Sequence, residues 1–112
     1  MSAQQWNSST GITNNIGGLL AYSLTFITGI IFIIIEKENK FIRFHAMQSI
    51  MTFVPLYIIT AYGGLIPYAG LFISFFTGMS MLVFWILGMI KAYKGDIYKF
   101  PIVGNIAAKQ LD

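Results

Sequence analysis

The stretch "IIFIIIEKENKFIRFHAMQSI", Ile30 to Ile50, decides how this chain is laid out. An apolar run breaks into Glu36, Lys37, Glu38, Asn39 and Lys40, then turns apolar again around Arg43 and His45. Hydrophobic residues make up 56% of the 112 and charged ones only 10%, with a mean hydropathy of +0.72, so charge this concentrated belongs at a boundary. A soluble domain carries about 25% charged residues.

Working outward, three segments hold the apolar excess. Ile16 to Ile35 has no charge, Phe44 to Tyr62 has only His45, and Leu65 to Ile90 has none. Twenty helical residues reach roughly 30 Å, the thickness of a hydrocarbon core. The expected fold is an all-α membrane protein of three transmembrane helices, over about 16–35, 41–62 and 65–90. A polar leader, 1–15, precedes this single membrane domain (16–112), and an interfacial tail with a short helix, 96–112, closes it. The leader has no Lys or Arg and the first apolar run exceeds a signal peptide's usual stretch of about 7 to 15 residues, so the first span is expected to be retained.

All seven Lys and Arg residues follow the first or the third span: Lys37, Lys40 and Arg43, then Lys91, Lys94, Lys99 and Lys109. With three spans these segments share one side, and the positive-inside rule places them, and the C-terminus, in the cytoplasm with the N-terminus outside. Asn7-Ser8-Ser9 matches a glycosylation sequon on that outer side. Glu36 and Lys40 are spaced as an i,i+4 pair if the first helix continues that far. Glu36 and Glu38 then stand at a helix C-terminus, where the macrodipole disfavours them unless Lys40, Arg43 or Lys91 is near.

His45, Gln48, Ser49 and Thr52 fall on one face of the second span. Polar groups in hydrocarbon need partners, so this face points at other helices or lines a polar path. Pro55, just beyond, cannot bond the carbonyl of Met51, which the Thr52 hydroxyl would satisfy. On the third span Gly70, Ser74 and Gly78 form a small-xxx-small row for helix packing. Trp85 and Tyr93 are expected near the cytoplasmic interface and Tyr22, Tyr62 and Tyr68 near the outer one. In the tail, Ile102, Val103, Ile106 and Leu111 would share an apolar face, with Pro101 in the first turn of its helix, so the segment would lie at the cytoplasmic interface or else fold under the bundle and cap the 30–50 stretch.

The segments "EKENKFIRFHAMQSI" and "WILGMIKAYKGDIYKFPIVGNIA" resemble those of a family of small archaeal and bacterial integral membrane proteins of unknown function, distantly similar to the chloroplast inner-envelope Tic import component. The resemblance spans Leu19 to Ala107. Its matching positions are Glu36, Lys37, Asn39, Phe41, Arg43, Phe44, His45, Gln48 and Ser49, then Tyr93, Gly95, Pro101 and Gly104. The resemblance implies no established activity for the small proteins, and a protein-conducting or channel-associated role for the plastid relative. The plastid protein has four spans against three expected here, and Asn105 stands where an acidic residue is expected.

No cysteine is present, which removes disulfides and thiolate metal sites. The net charge of +3 is not gathered into a soluble patch, so nucleic acid is not an expected partner. His45, Glu36, Glu38 and Asp96 do not form a catalytic constellation, and no cofactor or metal motif is found. The expected function is a non-catalytic, multi-pass protein of the cell membrane. Its partners would be the lipid bilayer and either a second copy in a homo-oligomer or another membrane protein in an assembly; the other class is a channel or translocation component. Glu36, Lys40, Arg43, His45, Gln48, Ser49 and Thr52 are the candidate interaction cluster.

Overall fold

The computed structural model describes residues 13–111, so the sequon at 7–9 lies outside the described residues. The described residues form an all-helical fold: α1 (Asn14–Ser23), α2 (Phe26–Ile35), α3 (Lys40–Gly63), α4 (Gly70–Tyr93) and α5 (Val103–Ala107), followed by a 3-10 turn, Ala108–Leu111. Two helices, α3 and α4, are long and apolar enough to cross a membrane. At 24 residues each they reach about 36 Å.

The expected first span, 16–35, is not one helix. It breaks at Leu24 and Thr25, where Thr25 has a φ of 55°, a left-handed conformation unusual for a β-branched residue. Local side-chain bonds compete with the helix here. Ser23 Oγ donates to the carbonyl of Leu20 at 3.0 Å, Thr25 Oγ1 to that of Leu24 at 2.7 Å, and the Leu24 amide donates to Thr28 Oγ1 at 3.2 Å.

At this break the chain reverses. The side chain of Asn14, at the start of α1, accepts from Asn39, and that of Asn15 donates to the carbonyl of Tyr93. At the other end of α1, Trp85 donates to the carbonyl of Ser23 at 3.2 Å, and Ser49 Oγ to that of Thr25 at 2.8 Å. α2 then returns to the starting end, where the carbonyl of Ile33 meets Arg43. α1 and α2 are thus a helical hairpin whose tip lies against the middle of α3 and α4. The beginning of α1 lies at the same end as the 36–39 turn and the end of α4, and the three-span layout, with its N-terminus opposite that turn, is replaced by two long helices and a half-length hairpin.

Close contacts seat the hairpin. A Cβ on Gly29 would lie 2.8 Å from the carbonyl of Ala46, one on Gly18 2.8 Å from the Phe41 ring, and one on Gly88 2.7 Å from the Tyr22 ring. Two apolar clusters result: Ala21, Phe32, Phe41, Ile42 and Ala46 between hairpin and α3, and Tyr22, Phe53, Ala92 and Phe100 between hairpin, α3, α4 and tail.

Beyond the hairpin tip, among the described residues, α3 and α4 pair with each other. Thr60 Oγ1 donates to Thr77 Oγ1 at 2.7 Å, and Ser74 Oγ to the carbonyl of Thr60 at 3.0 Å. Gly70 touches the Gly64 backbone, where a Cβ would come within 2.5 Å, whereas nothing lies within 4 Å of a Cβ on Gly78. The Gly70, Ser74 and Gly78 row therefore packs against α3 and its turn through its first two members only.

The tail does not lie flat. After Gly95, with φ 83°, it runs inward along α3 and comes back as α5 and the 3-10 turn. Phe100, Gly104 and Ala107 form its buried face; of the expected apolar face, Ile102 and Ile106 are exposed and Val103 and Leu111 half-buried. The close approach of Gly104 to the backbone of Lys99 sets this register. The helix begins at Val103, so Pro101 precedes it.

Candidate functional site

The polar residues of the 36–52 stretch gather at the end of the molecule where the hairpin, the tail and the start of α3 meet. Asn39 caps α3, its Oδ1 accepting from the amide of Ile42 at 3.1 Å. The Glu36 carboxylate accepts from the amides of Glu38 and Asn39 at 3.3 and 3.1 Å. α2 has ended at Ile35, so Glu36 faces the N-terminus of α3, where negative charge is favoured, and it shares no helix with Lys40. Lys40 is half-buried at the first position of α3, outside the hydrogen-bonded cluster.

Arg43 ties the hairpin to the tail. Its Nη1 donates to the carbonyls of Ile33 and Glu36 at 2.8 and 2.7 Å, and its Nε to Gln110 Oε1 at 3.1 Å. The first two bonds satisfy carbonyls at the end of α2, which no intrahelical amide reaches.

Deeper in lies a chain of bonds around His45, which is fully buried. His45 Nε2 is 2.8 Å from the carbonyl of Asp96, an acceptor, so Nε2 carries a proton and donates. Nδ1 then accepts from the Tyr22 hydroxyl at 2.7 Å. That hydroxyl accepts in turn from Gln48 Nε2 at 2.8 Å, which also donates to the carbonyl of Tyr98 at 2.9 Å. Gln48 Oε1 accepts from the amide of Phe100 at 2.9 Å. Each donor has an acceptor with His45 as the neutral Nε2–H tautomer. A proton added at Nδ1 would leave the Tyr22 hydroxyl without its acceptor.

The candidate face of α3 is therefore closed within one chain. His45 and Gln48 join hairpin to tail, and Ser49 holds the hairpin tip. Thr52 is buried, yet its hydroxyl has no hydrogen-bond partner among the described residues and so does not make the expected bond to the Met51 carbonyl. It borders an apolar cavity of about 230 Å³ with Met51, Pro55, Leu56, Phe84 and Ile102. A larger cavity, about 490 Å³, lies under the hairpin tip between Leu24, Ile27, Tyr57, Gly78 and Leu82.

Tyr22, Trp85, Asn39 and Gln110 were not candidates from the sequence. Tyr22 was expected at the outer interface and is fully buried beside His45. Trp85, expected near the cytoplasmic interface, serves the hairpin tip. The available signal was Ser23, Thr25 and Thr28, three hydroxyls in the middle of an apolar run.

A family model described as the magnetosome magnetite crystal formation protein family, MamF/MmsF, matches residues 5–107. Two UPF0132 membrane proteins of Methanocaldococcus jannaschii are 46% and 44% identical, over 88% and 89% of this chain and 71% and 90% of their own lengths. The magnetosome protein MmsF of Paramagnetospirillum magneticum is 23% identical over 76% of this chain and 80% of its own. No solved structure matches. None of these findings supports kinship with the chloroplast import component. The 36–49 and 93–107 segments lie within the matched region; the chain belongs to the MamF/MmsF family and is similar to UPF0132 membrane proteins.

Proposed function

We propose that this protein is a non-catalytic, multi-pass structural or assembly protein of the cell membrane, packing with itself or with partner membrane proteins. The observation that carries this reading is the engagement of Arg43, His45, Gln48 and Ser49: each is spent on holding hairpin and tail to α3. The outer surface is apolar and available for lipid or a neighbour, with Leu71 79% exposed and Phe72 65% exposed. A conducting role would need water along the α3 face, which the hairpin and tail cover. The family's description associates it with crystal formation in magnetosomes; assembly within a membrane is the part of that association the present geometry favours.

In this reading α3 and α4 cross the bilayer and the α1–α2 hairpin enters one leaflet only. Both basic segments lie at the hairpin end, which the positive-inside rule assigns to the cytoplasm. Native mass spectrometry from lipid nanodiscs, with ion flux measured in liposomes, tests the function. A defined multimer or a retained membrane protein, without flux, is expected. Flux from the purified protein, or a lone copy that retains no partner, overturns it.

A further inference from the structure

Resting on the reading of two spans and a one-leaflet hairpin, we infer that this protein recognises membrane curvature, with its basic end in the convex leaflet.

The argument is one of cross-section. In the half of the molecule that holds Asn39 and Tyr93, α1, α2, α3 and α4 lie side by side, and the tail adds Phe100, α5 and the 3-10 turn against α3. In the other part, from about Thr60 to Thr77, beyond the Phe26–Tyr57 contact and the reach of the tail to Pro55, α3 and α4 pair with each other and no other described segment is bonded to them. Each helix with its side chains is about 10 Å across, so the basic half occupies roughly twice the area of the other or more.

The step between the halves is visible in the structure. The hairpin tip stops where Ser49 and Trp85 bond it, near the middle of both long helices. The cavity of about 490 Å³ lies directly beyond, and Gly78, which faces it, meets nothing that a Cβ would touch. The hairpin's outer face is built for lipid: Ile27, Ile30, Ile31, Ile34 and Ile35 are all exposed. Two independent elements, hairpin and tail, thicken the same half, and no described segment thickens the other.

A body that displaces more area in one leaflet than in the other strains a flat bilayer. The strain falls where the leaflet around the broad half is the outer, stretched one, by the same physics that makes one-leaflet amphipathic helices sensitive to curvature. The covalent chain and the bonds of Arg43, Ser49 and Trp85 hold the wedge in shape, so recognition needs no ligand beyond the bilayer.

The test uses the absence of cysteine. The full chain carrying Lys94→Cys, at the basic end, or Leu65→Cys, at the opposite end, is reconstituted into phosphatidylcholine–phosphatidylglycerol vesicles of mixed diameter. A membrane-impermeant thiol dye then reports only molecules with that end outward, vesicle by vesicle. Labelled Lys94→Cys per unit area should rise about threefold or more from vesicles of about 400 nm to about 50 nm, and labelled Leu65→Cys should fall. Densities that do not vary with diameter, or that vary alike for both orientations, overturn the inference while leaving the membrane reading intact. A second copy filling the step and squaring off the wedge would give that flat response. Protein extractable by carbonate would instead overturn the spanning reading, and the inference with it.

Discussion

Ser49 Oγ donates to the carbonyl of Thr25 at 2.8 Å, at the point where an apolar run that could have crossed a membrane turns back instead. The bond ties α3 to a carbonyl that the Gly29 amide and the Thr28 hydroxyl also reach, at 3.4 and 3.3 Å, and it is the shortest of the three. Trp85 bonds the Ser23 carbonyl from the other side. Substituting Ser49 by Ala is expected to destabilise the protein by about 0.6 to 2 kcal/mol, lowering the melting temperature in detergent by a few degrees. An unchanged melting temperature would show that the reversal does not depend on this bond.

The glycines divide sharply. Gly29→Ala pushes a methyl against the carbonyl of Ala46, which is backbone and cannot swing away, and should cost about 1–3 kcal/mol. Gly78→Ala meets open space on the same scale of change, and a better helix former there should be neutral or stabilising by up to about 1 kcal/mol. Thermal unfolding of the two variants side by side checks the contrast.

Gln48 bonds two tail backbone groups and the Tyr22 hydroxyl at once. Gln48→Leu leaves the Tyr98 carbonyl and the Phe100 amide without this partner in the core, while the Tyr22 hydroxyl keeps its bond to His45. The expected result is loss of the tail's docking, seen as faster hydrogen exchange at residues 96–111 and tryptic cleavage after Lys99, with α3 and α4 still protected. A stability loss of about 2–4 kcal/mol follows from the unsatisfied groups.

Arg43→Lys keeps the charge and loses the fork that serves Ile33, Glu36 and Gln110 together. If geometry matters here more than charge, Lys should recover less than half of the stability lost in Arg43→Ala, itself about 1.5–3 kcal/mol for bonds from a charged donor. Yield and melting temperature in detergent read both.

Topology separates the two layouts of the first apolar run. In cells, Thr13→Cys should label from the same side as Lys94→Cys and opposite to Leu65→Cys, because α1 and α2 return to their starting end. Three spans would instead put Thr13 with Leu65.

Much was legible in the residues themselves. The apolar excess required lipid, the runs that form α3 and α4 read as spans, as did 16–35, and the "EKENK" stretch marked a turn that Asn39 caps and Glu36 closes. The periodicity of His45, Gln48, Ser49 and Thr52 placed them on one face. Tertiary structure alone decided how Ile16 to Ile35 is spent, since hydropathy measures compatibility with lipid and reads the same for one span as for two half-length helices. The difference lies in whether the break at Leu24 and Thr25 is held against the rest of the molecule, and the long-range bonds that hold it come from Trp85 and Ser49, far away in the chain. The tail's inward path likewise depends on Gln48 reaching Tyr98 and Phe100 about 50 residues on, a pairing that no local spacing encodes.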